Sequence, residues 1–212
     1  LRAMLSRWPD HPNVTLVTTD GFLRPNEYLL KHGLMQRKGF PESYDMRTMV
    51  EFLARVKAGD DTVSAPVYSH ETYDIVPGER VAIRRPDILI FEGLNVLQAG
   101  HPGSGGSRSP AVILSDFFDF SIYLDAEEPS IENWYVERFL LLQHLAFQRP
   151  KSYFHHYADL SPEAARKVAL QIWREVNQVN LRENILPTRE RAHLVLRKQA
   201  DHAIAEILLR QT

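Results

Sequence analysis

Ile88-Leu89-Ile90-Phe91 is apolar at every residue and runs straight into Glu92-Gly93. A strand can be apolar on both faces only if both are covered, which is the situation of a parallel strand flanked by helices. Val14-Thr15-Leu16-Val17-Thr18 is a second short β-branched run, ending in Thr19-Asp20-Gly21, and Phe120 to Leu124 and His193 to Leu196 read as two more strands. Helical patterns separate them. Residues 25 to 32 form a short helix stopped by Gly33, and Asp45 caps a helix with Met46, Met49, Val50, Leu53 and Val56 on one face. A long helix runs from about Pro129 to Phe147, and Ser161-Pro162 opens another. From Thr62 to Arg84 the sequence is β-like, with Pro77-Gly78 placed to turn a strand over 72–76 into one over 80–84. Strands alternating with helices predict an α/β fold with a mainly parallel sheet, in one domain over 1–212. Residues 100–110 hold four glycines, three serines and two prolines and read as a flexible surface loop.

Composition narrows the functional classes. With 25 basic and 27 acidic side chains the net charge is -2, so no overall basic excess points to nucleic acid or an anionic membrane. The absence of cysteine excludes disulfides, thiolate zinc sites and a cysteine nucleophile. No apolar run is long enough to span a bilayer, and the expected location is the cytoplasm. Leu1, Met4, Leu5 and Trp8 repeat at helical spacing from the first residue, so the chain reads as starting within a helix.

In open parallel sheets ligands sit beyond the carboxyl ends of strands, where Asp20, Glu92 and Asp125 fall. Asp20 precedes Gly21, which permits close backbone approach, and Arg37 and Lys38 are suited to a phosphate or carboxylate. Asp125 precedes Glu127-Glu128 and reads as a cap for the helix that follows. A carboxylate beside a bound hydroxyl accepts its proton, and a second one nearby holds water or Mg²⁺. Phosphoryl transfer needs that pair plus cationic donors, for which Arg138 is a candidate; the alternative is an arginine whose stem merely packs along its helix. The rings of Tyr68, Tyr73, Tyr153, Phe154 and Tyr157, with His70, suit either a pocket for a partly apolar small molecule or simple loop packing. His155-His156 lacks the spacing of a zinc motif.

Five stretches taken together resemble the bacterial type I pantothenate kinases, members of the P-loop kinase superfamily. These are Leu16-Val17-Thr18-Thr19-Asp20-Gly21-Phe22, Arg37-Lys38-Gly39-Phe40-Pro41-Glu42-Ser43-Tyr44, Ala65-Pro66-Val67-Tyr68-Ser69-His70, Phe91-Glu92-Gly93-Leu94-Asn95-Val96-Leu97 and Glu183-Asn184-Ile185-Leu186-Pro187-Thr188-Arg189. The resemblance runs from Leu1 to nearly the last residue. It implies a P-loop kinase-like three-layer fold and ATP-dependent phosphorylation of pantothenate to 4'-phosphopantothenate with Mg²⁺, the first step of coenzyme A synthesis. Asp20 is implied as the base and Arg138 as the group that steadies the phosphoryl in transit. Glu92 is implied in the Mg²⁺ shell. Tyr68, His70, Tyr135, Asn177, Tyr153 and Tyr157 fall on positions lining the pantothenate pocket, with Phe139 and Phe147 as apolar wall. Lys198 and His202 match positions near the nucleotide and the feedback inhibitor coenzyme A, and a homodimer is implied. Leu142 departs from the bulkier side chain of some relatives, which leaves the fine shape of the pocket open.

A P-loop kinase also needs a turn of the form GxxxxGK[ST], and these residues contain no Gly-Lys pair. In the family that motif precedes the helix matched by Leu1 to Trp8. The expectation is a chain lacking its N-terminal strand and Walker A loop, and inactive by itself. Two other readings stand beside this one: a related kinase of the uridine kinase or phosphoribulokinase type, and a non-catalytic remnant that binds pantothenate or coenzyme A.

Overall fold

The computed structural model describes residues 1–98 and 113–210. Its described residues group into two compact units, one drawn from Leu1–Ser69 with Asp74–Phe118, the other from His70–Tyr73 with Asp119–Thr212. The surface loop expected at 100–110 lies outside the described residues.

In the first unit, β1 (Val14–Thr18) pairs in parallel with β4 (Ile88–Glu92), with Val14 opposite Ile88 and Thr18 opposite Glu92. The pair is pinned at its start, where the Asp87 carboxylate accepts from the Asn13 amide at 2.7 Å and the Asn13 carbonyl accepts from the amides of Asp87 and Ile88. β1 passes directly into a 3-10 turn, Thr19–Phe22, which carries Asp20. Phe22 then drops into the core, 1% exposed, with Phe52 and Phe91 at 5.4 and 5.8 Å between ring centres. A short helix α1 (Arg2–Leu5) precedes β1, and α2 (Asn26–Lys31) follows the turn. Helix α3 (Met46–Lys57) starts where the Asp45 carboxylate accepts from the Thr48 amide at 3.2 Å, as its sequence predicts, and buries Met49, Phe52 and Leu53.

The hairpin is built differently from the sequence expectation. Its strands are β2 (Val63–Ser69) and β3 (Asp74–Ile83), antiparallel, so the chain reverses at 70–73 and not at Pro77-Gly78. Pro66 faces Arg80 and Tyr68 faces Ile75, which leaves Pro77-Gly78 bulging from within one strand. Exposure there lets the missing proline donor go unpaired, and Gly78 takes φ +74 without a Cβ penalty.

The second unit holds a three-stranded sheet, β5 (Ile122–Ala126), β6 (Leu194–Lys198) and β7 (Ile204–Leu209), with β5 and β6 parallel and β7 antiparallel on the edge. The final strand β7 is an addition to the sequence reading. Helix α4 (Glu128–His144) and α5 (Pro162–Ile172) share a core of Val136, Phe139, Phe147, Ala165 and Ala169. The two alanines, fully buried on α5, allow close helix approach. The Ser161 hydroxyl caps α5 by accepting from the Ala164 amide at 3.2 Å. Beyond α5 the helix runs on through π-helical turns at Trp173–Asn177 and Leu181–Ile185, on either side of α6 (Gln178–Asn180).

The parallel pairs in each unit bear out the α/β expectation. Among the described residues no helix is long and apolar enough to cross a membrane. Phe22→Ala is expected to lower unfolding free energy by about 3–5 kcal/mol, against about 1 kcal/mol for Ser161→Ala, both read by chemical denaturation.

Candidate active site

Parallel pairing of β1 with β4 sets the site in the first unit, because it brings the carboxyl ends of both strands to the same edge. Thr18 faces Glu92, and Asp20 follows two residues later in its 3-10 turn. Partial burial and the charge of Asp20 hold the Glu92 carboxyl above the ordinary range. Asp20 is half-buried, and the residue after it, Gly21, lies against the Pro66 carbonyl of β2, where a Cβ has no room.

The cation of this group is Lys38, only 8% exposed. Its ammonium donates to Asn26 Oδ1 at 2.6 Å and lies 5.2 Å from the centre of the Tyr68 ring. Burial pulls its pKa down to about 8, against the opposing pull of Asp74 and Asp20. Neighbouring Arg37 is spoken for, paired with Glu42 and stacked over Phe40. Sequence alone gave these two basic residues equal standing; the burial that singles out Lys38 is tertiary.

The second unit carries the remaining candidates. Tyr135, Arg138 and Phe139 lie on one face of α4 by their helical spacing. The Asn177 side chain, on the first π-helical turn, hydrogen-bonds Tyr135, and burial raises the Tyr135 hydroxyl pKa. Arg138 is exposed and, among the described residues, has no ion-pair partner, so its guanidinium is available to an anion. Phe139, Phe147 and Tyr157 form one ring cluster, with centres 5.4 and 5.6 Å from Phe139. Phe154 extends it at 5.1 Å from both Phe147 and Tyr153, and Tyr73 closes on Tyr153 at 5.1 Å. His70 begins the same 70–73 segment, exposed. Leu142 packs at the margin of this core.

The aromatic loop is held from below by a residue the sequence did not single out. Gln143, 1% exposed, donates from Nε2 to the carbonyls of Tyr157 at 3.1 Å and Leu160 at 2.8 Å. Nothing in a lone glutamine of a long helix signals such a clamp, since its partners lie 14 and 17 residues away.

Lys198 and His202 form a separate cluster. The Lys198 ammonium donates to His202 Nδ1 at 3.0 Å and sits 4.7 Å from the Trp134 ring, on which His202 stacks at 4.3 Å. Asp125 is a correction: it caps no helix, and its carboxylate instead accepts from Arg189 Nε at 2.9 Å. Guanidinium pairing across 64 residues outcompetes a local cap because it gives a charge-assisted bond in a largely buried setting. Among the described residues no group of three or more His, Cys, Asp or Glu side chains is arranged to hold a metal.

The parallel α/β architecture is that of the P-loop kinase-like proteins. Two solved structures share the fold. D-glycerate 3-kinase from Cryptococcus neoformans superposes with TM-score 0.68 at 12% identity, over 99% of this chain and 84% of that one. Phosphoribulokinase from Rhodobacter spheroides does so with TM-score 0.57 at 12% identity, over 92% of this chain and 63% of that one. Residues 35–138 match the Phosphoribulokinase / Uridine kinase family. Over 211 residues the chain is 58% identical to the pantothenate kinase of Parvibaculum lavamentivorans, 57% to that of Myxococcus xanthus and 55% to that of Sorangium cellulosum. It is covered completely in each case and spans 64%, 66% and 67% of those relatives. The chain belongs to the pantothenate kinase family.

The Lys38 environment makes a stability prediction. Its folded pKa, about 8, lies below the ordinary 10.5, so from pH 8 to 10.5 the unfolded chain binds the extra proton. Stability should therefore gain with rising pH across that window relative to Lys38→Met, in which this component is absent. Parallel denaturation curves at pH 7.5 and 10 measure it; an identical pH response in both proteins contradicts the burial of the charge.

Proposed function

We propose that the protein carrying this chain transfers the γ-phosphoryl group of ATP to the primary hydroxyl of pantothenate, giving 4'-phosphopantothenate, the first step of coenzyme A synthesis. The observation that carries this reading is 55–58% identity to pantothenate kinases along the whole chain. The side chains described above supply chemistry that suits it.

Asp20 takes the proton of the attacking hydroxyl as its oxygen bonds to the γ-phosphorus and ADP departs. Lys38, close enough to feel the Asp20 charge, offers a donor to phosphoryl oxygen. Arg138 supplies a second, planar donor to the group in transit. Tyr68, His70, Tyr135, Tyr153, Tyr157 and Asn177 bind pantothenate, whose apolar dimethyl segment suits the walls offered by Phe139 and Phe147. Lys198 and His202 serve the nucleotide and, by the same surface, coenzyme A as a feedback inhibitor. Glu92 fits the shell of Mg²⁺, a hard cation that is commonly bound by one or two carboxylates plus substrate phosphates. When bound, the cation neutralises charge on the phosphate oxygens. A homodimer in the cytoplasm completes the proposal, and the absence of cysteine suits a reducing compartment.

In the full-length protein, Asp20→Asn should lower kcat by roughly 10²–10⁴-fold while pantothenate affinity, read by calorimetry, stays within a few-fold. Near-normal kcat removes Asp20 from the role of base. Wild-type turnover on uridine or a sugar phosphate instead of pantothenate moves the activity to the neighbouring kinases. Pantothenate or coenzyme A binding with no turnover on any of these makes it a binding protein.

A further inference from the structure

Thr19 is 2% exposed, and among the described residues its hydroxyl has no hydrogen-bond partner. A buried hydroxyl without a partner is costly, so the residue is held for something other than a bond of its own. Its neighbour in space is Gly93. A Cβ built on Gly93 falls 2.6 Å from Thr19 Cγ2 and 2.7 Å from Thr19 Cβ, and closer still to Oγ1. Rotation about χ1 moves Oγ1 and Cγ2 aside but leaves Cβ where it is, so no rotamer of Thr19 admits a side chain at 93. These two residues directly precede and follow the two carboxylates: Thr19 comes before Asp20, and Gly93 comes after Glu92. On the far side of Asp20, Gly21 meets the Pro66 carbonyl with equally little room.

We infer that the Thr19–Gly93 contact is a positioning device, in which Thr19 fills the space of the missing Gly93 side chain and so lets the ends of β1 and β4 close to the separation at which Asp20 and Glu92 work together. This rests on the proposed roles of those two carboxylates. Thr19 and Gly93 touch no reacting atom; they act through the residues beside them. Carbon atoms pack at about 3.5–4.0 Å, so a methyl at 93 drives the strand ends apart by roughly 1 Å. Misplacement on that scale costs on the order of a hundredfold in rate when the groups displaced are those doing chemistry.

The test compares wild type, Gly93→Ala, Thr19→Val and the exchange Thr19→Gly/Gly93→Ala in the full-length protein. Gly93→Ala should lose kcat roughly a hundredfold with the KM for pantothenate within about threefold. Thr19→Val keeps the shape and removes only the unpartnered hydroxyl, so its kcat should stay within about threefold of wild type. The exchange moves the methyl across the contact and should restore at least about tenfold of the lost kcat. A folded Gly93→Ala with normal kcat overturns the inference. So does a Thr19→Val protein as slow as Gly93→Ala, which would put the function in the hydroxyl, or a folded exchange variant that recovers nothing. If Gly93→Ala fails to fold, Thr19→Val and the exchange variant still decide. A crystal structure of Gly93→Ala or the exchange variant reads the Asp20–Glu92 Cα separation without reference to activity. Widening of roughly 1 Å in the former, reversed in the latter, is expected; no widening refutes the positioning role whatever the substrate proves to be. Failure of the wild type to phosphorylate pantothenate refutes the proposed function and leaves that structural comparison intact.

Discussion

The parallel pairing of β1 with β4 is the constraint from which the first unit follows. Parallel strands end on the same side, so Asp20 and Glu92 meet at one edge although 72 residues separate them in sequence, and neither is placed by anything local. The pairing is fixed at its other end by Asn13 and Asp87, whose backbone and side-chain bonds set the register before either apolar run begins. A shift by one residue would send every side chain to the opposite face and carry Asp20 away from Glu92. Burial first, and the nearby charge of Asp20 second, make Glu92 retain its proton more tightly. The buried ammonium of Lys38 answers that charge at the cost of its own hydration, which lowers its pKa to about 8. Acidic and basic groups here perturb each other in the directions expected of a site that manages charge.

The second unit meets a different requirement with different means. Its aromatic side chains come from α4 and from the 151–160 loop, and loops hold their shape only when their polar backbone is bonded. Gln143 and Gln148 supply those bonds from the helix end, to the carbonyls of Tyr157, Leu160 and Ala158, while His155 bonds the Phe147 carbonyl. The rings then stack in tilted and edge-on pairs, a rigid surface with little rotamer freedom left to lose. The π-helical turns after α5 have a related effect. Each inserts a residue into the helical repeat, which turns the following side chains to a new face, and Asn177 on the first of them reaches Tyr135.

What could be read from the sequence is what local physics determines. The fully apolar run at 88–91 announces a parallel strand, although its side chains are only partly buried among the described residues, and the caps at Asp45 and Ser161 lie where residue type and spacing put them. Asp20 and Glu92 stood out because they directly follow such runs. The errors share one cause. Pro77-Gly78 has turn chemistry, yet pairing with β2 made it a bulge; Asp125 has the position of a cap, yet a distant guanidinium claimed it. β7 escaped notice because it is an edge strand exposed along its whole length, with no buried face to give it an alternating pattern. The importance of Lys38 over Arg37, and of Gln143 among the polar residues of α4, depends on burial, which one sequence does not display.

The same division explains why the substrate is named by relatives and not by geometry. A strand-end carboxylate pair with a nearby cation is a solution to phosphoryl transfer in general, and it would serve a sugar, a nucleoside or pantothenate equally. Fold likeness at 12% identity therefore carries the architecture and stops there. Identity of 57% over 211 residues is a different kind of information, because it extends to side chains that the fold alone leaves free to vary. At the Thr19–Gly93 contact, by contrast, packing alone carries the proposal, and no ligand need touch the protein there for the spacing to matter. On that proposal a glycine that leaves room for its neighbour makes the chemistry of this edge depend on packing, and on two residues that a search for reacting groups passes over.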